Sequence, residues 1–204
     1  AVRRVVMGPD ATRREATPDE IAAMQALVHE SIEAGAIGFS SSWSTTHNDT
    51  EQNMVPSRYA TREELIALCS VLADHPGTSL EFIPTIGPFG DDVANLMADM
   101  AIAADAPLNW NVLTVFPRTL DACYEKLHAS DVAAARGATV VGLTAPMSLD
   151  FRMSFANGFL LDAATVEWFF EQYIDRSQRS DWRFAPLNAD DLDGVAAAIV
   201  LIAE

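Results

Sequence analysis

Residues 16–68, ATPDEIAAMQALVHESIEAGAIGFSSSWSTTHNDTEQNMVPSRYATREELIAL, decide the fold, because a helix, a strand, a polar loop and a second helix follow one another there. Thr17-Pro18-Asp19-Glu20 is a helix start: a hydroxyl to cap, proline at the first helical position and two acids in the first turn. Ile21, Met24, Leu27, Val28, Ser31 and Ile32 recur at three-and-four spacing, so one stripe of this helix covers something. Gly35 is placed to end it in the left-handed conformation. Ala36 to Ser42 then predicts a short strand whose polar end runs into a loop longer than a mere connection needs. A second capped helix opens at Thr61-Arg62-Glu63-Glu64, with Leu65, Ile66, Leu68, Cys69 and Leu72 inward.

The same alternation continues downstream. Ser79 to Pro84 predicts a strand, Asp91 to Ala104 a helix with Val93, Leu96, Met97, Met100 and Ile102 inward, and Leu108 to Val115 another strand. Leu120 to Arg136 predicts a helix covering the sheet with Leu120, Cys123, Tyr124, Leu127 and Val132, and Thr139 to Thr144 a fourth strand. Four strands separated by helices predict successive right-handed crossovers and an α/β fold with a parallel sheet. In Leu108 to Val115, Asn109 and Asn111 fall on one face and Leu108, Trp110 and Val112 on the other, and Glu81 can share the polar face with Ser40 and Ser42. A polar face toward the carboxyl ends of parallel strands predicts the mouth of a TIM-type (β/α) barrel, of which four strands form a part.

Composition bounds the function. The 204 residues are half hydrophobic and carry a formal charge of -16, which sets nucleic acid aside, since phosphate binding needs clustered Lys and Arg. The longest apolar run, Val195 to Ala203, falls far short of the roughly twenty residues of a bilayer span, so no membrane partner is expected. The start shows no basic segment followed by an apolar one. Cys69 and Cys123 sit among apolar neighbours and read as reduced core thiols of a cytoplasmic protein.

Gly8, Arg14 to Ile21, Gly35 to Ser41 and Ala60 to Leu65 resemble the N-acyl-D-amino-acid deacylase (D-aminoacylase) branch of the amidohydrolase superfamily. The resemblance runs from about Ala1 to Phe159 and includes the blocks SSW (41–43), THND (46–49), VPSR (55–58) and EFIPTIGPF (81–89). It implies a hydrolase of carbon-nitrogen (non-peptide) bonds on a TIM-type barrel, with Zn2+ at the carboxyl ends of the strands and an N-acyl amino acid or related amide as substrate. It also implies departures. The His-x-His pair of the family's first strand lies outside the matching part, and Phe82 and Val112 stand where the ligand histidines of the fifth and sixth strands are expected. Three metal donors are therefore not assembled from these segments.

The candidate site residues are Glu81, Ser42, Trp43, His47, Asn109 and Asn111. Glu81 is either a lumen carboxylate acting as ligand or acid-base group, or a structural acid held by backbone or by Asn109; the second reading is favoured. His47 and Asp49 lie in the loop that would form the rim, and either reach substrate or are solvated. Trp43 and Tyr59 either line an acyl pocket or pin the loop. His29, His75 and His128 read as surface residues.

From about Phe159 the pattern changes. A helix read from Asp162, the connector Asp181-Trp182-Arg183-Phe184-Ala185-Pro186-Leu187 and an apolar strand over 195–203 resemble an internal piece of the hormone-sensitive-lipase-like α/β-hydrolases. That resemblance implies a carboxylesterase, but no G-x-S-x-G nucleophile elbow occurs. The expected organisation is a partial barrel over 1–158 and a helix-turn-strand tail over 159–204. An incomplete barrel leaves open sheet edges, which predicts self-association. Three readings follow: an amide hydrolase by descent, an ester hydrolase by descent, or an inert fragment joining the two.

Overall fold

In the computed structural model the described residues are 1–49, 51, 53–113, 115 and 120–144. Two units divide the chain, Ala1–Asp150 and Phe151–Glu204. The helix and strand expected after 159 lie outside the described residues, so the architecture below is that of the first unit.

Its elements alternate as the hydrophobic spacing requires. Helix α1 (Val2–Met7) is followed by a tight turn over Gly8–Thr12 and by α2 (Pro18–Glu33). Thr17 and Glu20 form a reciprocal capping box, with Pro18 inside the first turn. Met24 and Val28 are the buried stripe of α2, whereas Ser31, placed inward by spacing alone, is exposed. The helix stops at Gly35 (φ 108°), a conformation that side chains with a Cβ rarely adopt. Strand β1 (Gly38–Ser42), helix α3 (Arg62–Ser70), strand β2 (Ser79–Ile83), helix α4 (Asp91–Ala104), strand β3 (Leu108–Trp110), helix α5 (Leu120–Ala135) and strand β4 (Val140–Gly142) follow.

The four strands are all parallel and lie in the order β1-β2-β3-β4. Each new strand is added beside the last, with a helix between, so the order never reverses as it does in a doubly wound sheet. That progression is what a segment of a (β/α) barrel requires. Neighbouring helices pack in the same succession, α2 on α3, α3 on α4 and α4 on α5.

Register separates the two faces of the sheet. Ser40, Glu81, Asn109 and Val141 are aligned across the strands, and so are Phe39, Leu80, Leu108 and Val140, one residue away and on the opposite face. Leu80, Phe82, Leu108, Trp110 and Val140 are buried with Leu65, Leu68, Leu96, Met97 and Met100 of the helices in one continuous core. The Ser40–Val141 row faces the other way and is at least partly exposed throughout. Close strand contact is specified at Gly38, where an added Cβ would lie 1.9 Å from the Ser79 carbonyl oxygen.

Several expectations are corrected. Strand β1 begins at Gly38, leaving Ile37 82% exposed. Strand β3 ends at Trp110, so Val112 leaves the buried face and is exposed. Ile102, Leu120 and Tyr124, expected to cover the sheet, are exposed as well. In α5 the buried positions are Cys123, Ala129 and Ala133: a helix that packs through small residues lets its larger ones point to water.

The helix layer is also held by charge. Asp99 of α4 accepts from Arg62 at the start of α3 and from Arg136 just after α5, joining three helices through one carboxylate. Burial alone would raise the Asp99 pKa, but the two guanidiniums outweigh it and hold the group below its ordinary range. At the N-terminal end Arg3, 4% exposed, pairs with Glu64, 1% exposed, and also donates to the Ala11 carbonyl at 3.1 Å. Glu64 thus has a different role from the one its Thr-x-x-Glu setting suggests. Thr61 caps the Glu64 amide at 3.2 Å, but the Glu64 side chain turns to Arg3 instead of completing the box. Burial raises its pKa against the pull of Arg3.

Candidate functional site at the carboxyl ends of the strands

Glu81 is the centre of the polar face. It occupies the middle of β2, aligned with Ser40 on one side and Asn109 on the other. Ser40 Oγ donates to Glu81 Oε2 at 3.1 Å, and Asn111 Nδ2 donates to Glu81 Oε1. Both carboxylate oxygens therefore accept hydrogen bonds from neighbouring strands or their continuations. The acid is held by Asn111 and Ser40, where the sequence reading names Asn109 or backbone. Asn111 reaches it from just beyond β3, where its own amide donates to the Phe82 carbonyl at 3.1 Å and prolongs the strand pairing.

Phe82 needs a correction. It stands where a ligand histidine was expected, yet it points into the helix-packed core and is fully buried. On this strand the open face is presented by Glu81, and a donor at 82 would face away from it. Val112 is exposed beyond the end of β3.

The loop after β1 uses most of its polar groups internally. Ser42, 7% exposed, accepts from the Ser44 amide at 3.2 Å, and Ser44 Oγ and Thr46 Oγ1 share a hydrogen bond of 2.7 Å. Trp43 donates its backbone amide to the Ile83 carbonyl at 2.8 Å and sets its ring edge-on to Phe82, with centroids 5.8 Å apart. It pins the loop to β2. His47 is half-buried, with its amide bonded to the Ser44 carbonyl at 3.0 Å. Asp49 Oδ1 accepts from the amides of Glu51 and Asn53, both at 2.9 Å, and these bonds, Asn53 foremost, hold its carboxyl below the usual range. Asp49 is thus a loop-closing acid. Tyr59 is half-buried at the end of a tight turn over Pro56–Tyr59.

The resemblance blocks meet here in two pairs. THND is tied to VPSR by Arg58 Nη1 donating to Asn48 Oδ1 at 2.6 Å, and Asn48 forms a bridge with Met54. SSW meets EFIPTIGPF through Trp43 and Phe82. The latter block ends in Phe89, which packs edge-on to Trp110 at 4.8 Å and lies under Lys126 Nζ at 5.6 Å. Lys126 also donates to the Ile86 carbonyl at 2.8 Å, and burial lowers its pKa. Three blocks lie within 41–58 and the fourth over 81–89, and they gather toward the carboxyl ends of β1 and β2.

Sequence reasoning missed two associations. Arg3 and Glu64 are 61 positions apart, and no local periodicity marks a buried ion pair. His29 and His75, read as separate surface residues, bond to each other at 2.8 Å. Neither pair had any signal short of the tertiary fold.

A zinc site is not assembled by these residues. Among the described residues no three His, Cys, Asp or Glu side chains converge where an ion would be held, and the one carboxylate on the polar row has both oxygens engaged. Cys69 and Cys123 are buried thiols, and burial pushes the Cys69 pKa up to about 12, away from the thiolate a metal needs. Among the described residues no helix is long and apolar enough to cross a membrane.

No protein-family model matches the chain. Two curated proteins are similar over short stretches: ethyl acetate hydrolase of Pseudomonas putida, 43% identical over 51 residues, and the carboxylic ester hydrolase LipN of Mycobacterium tuberculosis, 41% identical over 51 residues. The stretch is 24% of this chain in both cases, and only 16% and 14% of those proteins. Among solved structures, D-aminoacylase is similar in a crystal structure said to define a novel subset of amidohydrolases, at 27% identity and a TM-score of 0.47. It is similar again in a study of that enzyme's binuclear metal center, at 25% identity and 0.46. Each likeness covers 70% of this chain and 28% of the other, so the chain spans less than a third of those structures.

Proposed function

We propose that residues 1–158 derive from the amidohydrolase-type hydrolases of the N-acyl-D-amino-acid deacylase branch and form a wall of such a site without completing its metal centre. One observation carries this reading. The blocks that resemble that branch, three in the segment after β1 and one from β2 onward, are tied in pairs, THND to VPSR and SSW to EFIPTIGPF, at the carboxyl ends of adjacent parallel strands, the end at which barrel enzymes place their chemistry. In this reading Glu81 with Ser40 and Asn111 faces the substrate side, and an N-acyl amino acid or related amide is the substrate class. In this reading the missing donors for Zn2+ come from a partner chain, and the chain alone is expected to be inactive.

A second reading concerns a carboxylesterase-like segment, which the resemblance read from the sequence assigns to 159–204. The 51-residue similarity to two ester hydrolases supports a segment of carboxylesterase descent in the same chain. The chain then joins parts of two hydrolase families.

Metal analysis and two assays separate these readings. The purified chain is expected to retain less than one equivalent of Zn2+ and to hydrolyse neither N-acyl-D-amino acids nor short-chain esters. Hydrolysis of N-acyl-D-amino acids that is lost on chelation and restored by Zn2+ would show a complete amidohydrolase centre. Ester hydrolysis insensitive to chelation would instead favour the esterase reading.

A further inference from the structure

At the opposite end of the sheet, before the strands begin, two histidines face one another. His29 lies in the last two turns of α2, and His75 follows the tight turn that ends α3, four residues before β2. His29 Nδ1 and His75 Nε2 are 2.8 Å apart, and the ring centroids 4.6 Å. Glu33, one helical turn beyond His29, places Oε1 3.4 Å from His29 Nε2. The backbone of His75 is fixed by its amide bond to the Leu72 carbonyl at 2.9 Å and by Thr78 Oγ1, which donates to the His75 carbonyl at 2.9 Å. The His29 side chain is 45% exposed, which leaves it room to turn.

We propose that His29 and His75 form a two-nitrogen binding site for a divalent transition-metal ion of the imidazole-preferring kind, with copper(II) favoured. Imidazole nitrogens suit copper, nickel and zinc. With metal–nitrogen bonds of about 2.0 Å, two nitrogens separated by the observed distance subtend roughly a right angle at the ion, as adjacent donors do in a tetragonal field. Glu33 is placed to become the usual outer partner: its exposed carboxylate, 3.4 Å from Nε2, needs only a small turn to accept the Nε2 proton, which leaves the Nδ1 lone pair of His29 for the ion. The proton that His75 shares with His29 moves through solvent to His75 Nδ1 as its Nε2 takes up the metal. Water fills the remaining positions. The formal charge of -16 favours any cation near the surface. Such an ion would join α2 to the connection between α3 and β2, at a place unrelated to the Glu81 site and independent of the hydrolase reading.

The test is titration of the full metal-free chain with Cu2+, followed by electron paramagnetic resonance. The expected result is one equivalent bound, with hyperfine structure from two imidazole nitrogens. His29→Gln and His75→Gln should each weaken binding at least about tenfold and leave a single imidazole nitrogen in the spectrum. Glu33→Gln, at an exposed position, should weaken it by roughly tenfold with both nitrogens retained. His128→Gln, on the exposed side of α5, should change nothing. Absence of stoichiometric copper, sulfur-type spectra, or wild-type affinity in either His29→Gln or His75→Gln would overturn the assignment.

Discussion

The two faces of the sheet are built on opposite rules. The face carrying Leu80, Phe82, Leu108, Trp110 and Val140 is dry, continuous with the helix interior, and makes one core. The face carrying Ser40, Glu81, Asn109 and Val141 has polar groups that satisfy one another and stay in reach of water. A parallel sheet buried on both sides would be apolar on both. The difference puts the packing that stabilises the unit on one side and a solvated polar row on the other.

Four substitutions sharpen or break that contrast, and urea unfolding followed by circular dichroism measures them all. Phe82→Ala should cost the most, about 4 kcal/mol, because it empties a fully buried site. Glu64→Ala should follow at about 3 kcal/mol, since it strands the Arg3 guanidinium in the interior. Asp99→Asn should cost roughly 1 kcal/mol, as its two ion pairs are partly exposed. The Asp99 pKa is lower folded than unfolded, so its contribution is present above the ordinary aspartate value of 3.8 and is lost as pH falls through the folded value. The acid limb of the stability profile should therefore be shallower in Asp99→Asn. Glu81→Gln should have the smallest effect, below about 1 kcal/mol, because its hydrogen bonds lie on a solvated face. A loss comparable to that of Phe82→Ala would make Glu81 a structural acid and remove the contrast between the faces.

The open face and the outer edges of β1 and β4, the end strands of the described sheet, also bear on self-association. Edges of this kind present unpaired backbone groups, so sedimentation is expected to show oligomers whose fraction rises with concentration. A monomer at all concentrations would show that the edges are covered.

Much of the fold was legible in local chemistry. Thr17, Pro18 and Glu20 mark a helix start by themselves, because a cap needs only residues within one turn. The alternation of Asn109 and Trp110 announced a two-sided strand, and Glu81 was recognised as a carboxylate on the polar side. Other features were illegible for physical reasons. Tyr124 and Ile102 obey helical spacing, but alanine contacts brought the helices together at other positions. The family resemblance places Phe82 where a ligand is expected, and only the tertiary fold shows that its side chain enters the core. Ser42 ends β1 and Trp43 and His47 lie in the loop after it, which hydroxyl and ring contacts close.

By itself the chain's sequence determined the alternation of helices and strands, the caps, and the presence of a polar row, since each depends on residues a few positions apart. Only tertiary structure decided that Asn111 and Ser40 hold Glu81, that Arg3 lies against Glu64, and that His29 meets His75. Those contacts join residues 30 to 61 positions apart, and such meetings are set by the docking of whole elements, which no short-range pattern encodes.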